Sequence, residues 1–268
     1  MSGTVLVTGG SMGIGLAVAH ALAEREFSLV LVARGREALE SACEALPGDG
    51  HRWHVLDVAD EAAWASLELP PLSGLVCAAG VLDPVGAVGE YALDAFRRTV
   101  QINVGGTLNG IASSLQALRD GGGSIVTFSG GGGTAPLPRF DAYAASKAAV
   151  VRLTENLAPV IAPIAINAIA PGFVATRMHQ VTLEAGPGAA GADYYDRTRR
   201  ELESGGIPAT EAADLACLLL DGVPFTGKLV SAQWDPWRDP EFHARLAADR
   251  HLGTLRRIDG LLFAEIKR

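Results

Sequence analysis

The stretch TGGSMGIG, residues 8–15, follows the apolar run VLV at 5–7 and leads into a helical pattern over 14–26. A strand that turns through glycines directly into a helix is how an open α/β sheet begins. Gly9, Gly13 and Gly15 free the backbone to turn sharply and to approach a pyrophosphate, and the positive end of the helix after Ile14 receives its charge. A glycine triplet alone has a plain structural use, because any tight strand-to-helix turn needs small residues. What surrounds this one decides its meaning.

Strand-like runs at 4–8, 28–33, 51–56, 74–78, 123–129 and 164–169 alternate with helical patterns at 36–45, 61–66, 92–118 and 143–161. Runs such as LVLVA are apolar on both faces, as parallel strands covered on both sides must be. The expected fold is therefore a Rossmann-type doubly wound parallel α/β sheet in a single domain spanning 1–268. Within it, 178–208 reads as a lid insertion: a glycine-rich loop, EAGPGAAGA, followed by a polar helix, DYYDRTRRELES. A further helix is expected at 210–220 and a final strand at 229–232. Residues 233–268 form a C-terminal extension in which Trp234 and Trp237 are expected to anchor the tail by packing or at a subunit contact.

With 268 residues and 49% apolar content, the chain can bury a sizeable core. Its net charge of −8 is spread out, which argues against nucleic acid as a partner. The opening MSGTVLVTGG has no basic segment ahead of a long apolar one, and no apolar run reaches the roughly 18 residues of a membrane span. A cytoplasmic protein is expected. The three cysteines, Cys43, Cys77 and Cys217, are scattered and fit a reducing compartment. His51 and His54 have no further ligand cluster around them, so no metal site is expected.

The loop VARGREALE at 32–40 bears on the choice of dinucleotide. A carboxylate ending the second strand would bond the free ribose hydroxyl of NAD, yet Ala33 and Arg34 stand there, and a guanidinium pairs well with the 2′-phosphate of NADP. NADP(H) is expected over NAD(H), although Met12 supplies no second basic clamp. In LDVAD, Asp57 ends the third strand, where it either accepts from an adenine amino group or caps the helix beginning near Asp60. Tyr143 and Lys147 in YAASK stand four apart and share one helix face. An ammonium beside a phenol favours the phenolate, which would make Tyr143 a usable acid and base.

Joined together, these motifs closely resemble the short-chain dehydrogenase/reductase family over residues 5–232. The resemblance rests on Thr8, Gly9, Gly13, Ile14 and Gly15, on Asp57, on CAAG at 77–80, on Asn103 in QINVGG, on Tyr143 and Lys147, and on PGFVAT at 171–176. It implies hydride transfer between a nicotinamide cofactor and a small carbonyl or alcohol substrate, with Tyr143 as general acid/base, Asn103 serving a proton relay and Lys147 holding the nicotinamide ribose. The implied cofactor contacts are Gly9, Ser11, Met12, Gly13, Ile14, Gly15, Arg34, Asp57, Val58, Ala79, Gly80, Tyr143, Lys147, Pro171, Gly172, Val174 and Thr176. It also implies a homodimer or homotetramer.

Two departures stand out. Cys77 and Ala78 replace the asparagines of the family's NNAG element, which predicts altered packing with binding kept. The family's substrate-polarising serine lies about thirteen residues before the tyrosine, and here that place is Gly130. Either Ser129, one place earlier, serves instead, or backbone N–H groups of Gly130 to Gly132 do, since glycine permits both. Ser129 is the favoured catalytic candidate. A catalytically impaired regulator and a sugar-nucleotide epimerase or dehydratase are the competing readings; the retained Asn103, Tyr143 and Lys147 argue against the first, and the short tail against the second. Tyr194, Tyr195, Arg197, Arg199 and Arg200 in the lid, with Arg139, either grip a substrate anion or form a solvated helix face.

Overall fold

The computed structural model describes residues 3–256. Seven parallel strands form one sheet in the order β3-β2-β1-β4-β5-β6-β7: β1 Thr4–Thr8, β2 Ser28–Ala33, β3 Arg52–Val55, β4 Gly74–Cys77, β5 Ser124–Phe128, β6 Ile166–Ala170 and β7 Leu229–Ser231. The helices are α1 Gly13–Ala23, α2 Arg36–Glu44, α3 Glu61–Ala65, α4 Leu93–Val100, α5 Gly106–Gly121, α6 Asp141–Leu157, α7 Gln180–Ala190, α8 Ala192–Glu203, α9 Ala209–Asp221 and α10 Pro240–Ala248. Strand order reverses between β1 and β4. Chain direction diverges there, and a crevice opens at the carboxyl ends of the strands.

Alternation along the strands divides the core into two halves. Val5 and Val7 point to the face covered by α1 and α9, where they meet Val18, Leu22 and Leu215. Leu6 points the other way, into a cluster with Trp64, Ile111 and Leu118 from α3 and α5. Asp60 caps α3, its carboxylate accepting from Ala62 and Ala63 N–H at 3.0 and 3.1 Å. The capping alternative considered for Asp57 is thereby excluded. Cys43, Cys77 and Cys217 are free thiols, and no helix among the described residues is long and apolar enough to cross a membrane.

Three segments differ from expectation. The helix expected over 92–118 is interrupted by a π-helical turn, Gln101–Gly105, between α4 and α5. The glycine-rich stretch 184–192 is not a loop but the end of α7 and the start of α8. Gly186 leaves helical geometry at φ 79° and Pro187 restarts it with the fixed φ that suits a first helical turn. Gly191, at φ 82°, then makes the corner into α8. In the tail, Trp237 is buried and its Nε1 donates to the Ala232 carbonyl at 3.1 Å, but Trp234 is 78% exposed and does not pack into its own chain. The tail is held elsewhere, by Lys228 Nζ on the carbonyls of Asp249 and Leu252 and by Leu255 N–H on Glu155. Residues 257–268 of the expected extension lie outside the described residues.

Leu75 is fully buried at the centre of the sheet. Leu75→Ala is expected to lower the unfolding free energy by about 2–5 kcal/mol in urea titrations followed by circular dichroism.

Candidate active site

The turn after β1 is built so that backbone meets backbone. A Cβ on Gly9, at φ 68°, would lie 2.8 Å from Ala79 N, and one on Gly15 would lie 2.3 Å from the Gly9 carbonyl oxygen. No side chain fits at either place, which leaves a bare cradle at the N-terminus of α1, the arrangement a pyrophosphate fits. Around it opens a cleft of about 960 Å³. Every residue of the expected cofactor set lines this cleft, from Ser11 and Met12 through Val58 and Gly80 to Gly172, Val174 and Thr176. Ser129 lines it too; Asn103 does not.

Arg34 is exposed on the cleft just after β2 and has no ion-pair partner among the described residues. Asp57 accepts from Ala59 N–H at 3.0 Å and pairs with Arg98. Burial alone raises the Asp57 carboxyl, but the Ala59 N–H and the Arg98 guanidinium outweigh it and hold the group below its ordinary range. Sequence reading missed Arg98, whose partner lies 41 residues away.

Asn103 sits in the π turn, 1% exposed, with its amide fully engaged. Its Oδ1 accepts from Val81 N–H at 2.8 Å, and Nδ2 donates to the Val81 carbonyl and to Ser146 Oγ, both at 2.9 Å. Ser146 Oγ in turn donates to the Tyr143 carbonyl at 2.7 Å. Asn103 thus ties the loop after β4 to the turn of α6 that carries Tyr143. The altered CAAG element keeps this loop in place without asparagine, since Thr8 Oγ1 accepts from Ala79 N–H at 3.3 Å.

Tyr143 and Lys147 are both buried, at 8% and 6% exposure, on the same face of α6. Lys147 Nζ donates to the Phe128 carbonyl at 3.0 Å and lies 5.6 Å from the Tyr143 ring centre. Its charge was expected to lower the phenol. Instead burial, with a smaller contribution from Tyr194, pushes the Tyr143 phenol well above its ordinary value, and desolvation pushes Lys147 down to about 8. In this geometry the carbonyl, not the phenol, takes the ammonium's hydrogen bond.

The lid covers this end of the cleft. Tyr194 packs on Phe140 with ring centres 4.6 Å apart, and Arg139 donates to the carbonyls of Gly188 and Ala189 at 3.0 and 3.1 Å. Arg199 pairs with Asp196 and Glu203 on its own helix, whereas Arg197 lines the cleft. Two residues that the sequence did not place in the cleft also line it: His179, and Trp234, which was expected to anchor the tail. The His179 ring stacks on Phe173 at 3.9 Å, its Nδ1 has no partner among the described residues, and burial lowers it to about 4. Nothing in their local sequence separates these two from ordinary surface residues. No group of three metal-ligating side chains occurs among the described residues.

A family model described as short chain dehydrogenase matches residues 3–185. The chain belongs to the short-chain dehydrogenase family. As a member it is an oxidoreductase that uses a nicotinamide cofactor to interconvert a carbonyl and an alcohol. This short-chain dehydrogenase is 36% identical over 186 residues to a cis-4-hydroxycyclohexanecarboxylate dehydrogenase of Sinomonas cyclohexanicum, covering 64% of this chain and 73% of the relative. Among solved structures it is similar to an actinorhodin polyketide ketoreductase with NADPH, at 26% identity and a TM-score of 0.73, covering 86% of this chain and 95% of the other. It is equally similar to an NAD⁺-bound xylitol dehydrogenase, at 26% identity and a TM-score of 0.72, covering 85% and 96%. The two structures carry different nicotinamide dinucleotides.

The lysine shift has a defined sign. Between pH values of about 8 and 10.5 the unfolded chain holds a proton on Lys147 that the folded protein has released, so this group's destabilising effect is full below 8 and fades as pH rises. In ¹³C-lysine NMR of the free protein, whose only lysines are Lys147, Lys228 and Lys267, Lys147 is expected to titrate near 8. A midpoint near 10.5 would contradict its desolvation.

Proposed function

We propose that the chain is an NADP(H)-preferring carbonyl reductase in which Tyr143 is the general acid in reduction and the general base in the reverse direction. The carrying observation is the position of the Tyr143 hydroxyl, buried against Gly130 in the same cleft as the glycine cradle. Bound nicotinamide supplies or accepts the hydride. Gly9 to Gly15 would hold the pyrophosphate, Asp57 and Val58 the adenine, and Pro171 to Thr176 the nicotinamide side. Lys147 would bond the nicotinamide ribose, and Gly80 keeps that approach open: a Cβ there would stand 3.5 Å from Lys147 Nζ.

Tyr143 releases its proton to the substrate oxygen as negative charge develops there, and the neighbouring ammonium stabilises the phenolate left behind. Asn103 acts by position, since its amide fastens α6 to the loop after β4 and leaves no side-chain donor for a water. The substrate oxygen is held at the turn beginning with Ser129. Unpaired Arg34 beside the ribose end of the cleft supports NADP(H), because a guanidinium answers a phosphate and repels nothing on it. Arg197 and the buried Thr198 hydroxyl in the lid, which has no partner among the described residues, support a substrate with a polar or anionic substituent away from its carbonyl. Exposed Leu93 and Leu108 on α4 and α5 support association into dimers or tetramers through that face.

Tyr143→Phe is expected to lower kcat by about 10²–10⁴ with NADPH affinity kept, measured by NADPH oxidation against a ketone panel and by fluorescence titration. Equal turnover in that variant would remove Tyr143 from the mechanism. Arg34→Ala is expected to weaken NADPH roughly tenfold while leaving NADH nearly unchanged, the loss due to one charged hydrogen bond; equal weakening of both would remove the preference.

A further inference from the structure

We propose that the substrate oxygen is held by the backbone N–H groups of Gly130 and Gly131, and that Ser129 is a structural residue. The inference deepens the reductase reading and rests on it. Three observations carry it.

The first concerns where Ser129 points. Its N–H donates to the Ile169 carbonyl at 2.8 Å, so it still follows the extended run of β5. Its side chain is 3% exposed, and Oγ donates to the Lys147 carbonyl at 3.4 Å. Behind Oγ stands Gly133, where a Cβ would come within 2.3 Å of it. Consecutive residues of an extended chain face opposite ways. The residue that faces the phenol is therefore Gly130.

The second is the space at Gly130. A Cβ built there would stand 2.2 Å from the Tyr143 hydroxyl oxygen and 3.1 Å from Cζ. The phenol occupies the place a side chain would take. A serine at 130 cannot offer its hydroxyl to substrate here without moving the tyrosine that must protonate it.

The third is the set of free donors. Gly133 N–H closes a turn onto the Gly130 carbonyl at 3.0 Å, with Gly132 at φ 86° as the turn's third residue. Among the described residues, the N–H groups of Gly130, Gly131 and Gly132 have no protein partner. Gly131 is exposed and Gly130 and Gly132 are half-buried, so these donors are open to water and free to take a substrate oxygen in its place. Gly130 and Gly131 line the cleft.

In chemical terms, hydride adds to the carbonyl carbon, the C=O π pair moves onto oxygen, and Tyr143 delivers the proton that forms the O–H bond. The two N–H groups stabilise the charge that passes through oxygen and exchange nothing.

The test uses the full chain, with NADPH affinity from fluorescence titration, fold from circular dichroism, and kcat and KM on the best ketone of a panel. Ser129→Ala is expected to keep kcat/KM within about threefold of wild type, since no transition-state donor is lost. Gly130→Ser, although it installs a hydroxyl, is expected to lose about a hundredfold or more in kcat with NADPH affinity kept. Gly131→Pro removes one donor and is expected to lose about 10²–10³ in kcat. A hundredfold loss in Ser129→Ala with cofactor affinity intact, or a gain in Gly130→Ser, overturns the proposal. An active Tyr143→Phe would instead sink the reductase reading. An inactive Tyr143→Phe beside an inactive Ser129→Ala would leave that reading standing and remove only this one.

Discussion

The contact on which the structure turns is the approach of Gly9 to the backbone of Ala79 at the fork between β1 and β4. Two parallel strands leave the sheet in opposite directions at this point, and a gap must form between the segments that follow them. Side chains would fill it. Gly9, Gly13 and Gly15 on one side and Ala79 and Gly80 on the other keep it empty, so the gap extends as a cleft across the strand ends. The cost is a backbone held in conformations that only glycine adopts freely. The two hydrophobic half-cores on either face of the sheet hold that backbone in place.

A second layer of organisation places the reacting groups over this gap. Burial works against both ionisable members: it favours neutral lysine and neutral tyrosine at once, raising the phenol and lowering the amine so that their proton affinities move apart. The scaffold supplies rigidity rather than charge. Asn103, Ser146 and the π turn form a short hydrogen-bonded brace, and a local widening of the helix is what lets the Asn103 side chain reach across to the loop after β4.

Much of this was legible in the residues. The strands were readable because runs apolar on both faces have few uses other than covered parallel strands, and six of them alternate with helices. The bare turn after β1 was readable because glycine spacing reports a requirement of the backbone itself. The lid was misread for the same reason, since glycine and proline punctuate loops and helix corners alike, and only the fold shows that Pro187 restarts a helix. The π turn left no mark, as QINVGG fits an ordinary helix. The Asp57–Arg98 pair joins residues far apart in the chain, and Lys147 was expected to act on Tyr143 because spacing along a helix gives proximity without saying which acceptor wins. At Ser129 and Gly130 the sequence names neighbours; the direction of each is a property of the strand that delivers them.

Trp234 has a consequence of an optical kind. Of the four tryptophans, Trp64 and Trp237 are enclosed by protein and Trp53 lies beneath the Arg36 guanidinium. Trp234 alone stands 78% exposed on the rim of the cleft. Its indole emits where a reduced nicotinamide absorbs, so filling the cleft dims this tryptophan. The chain carries its own gauge of occupancy, readable in solution without a label.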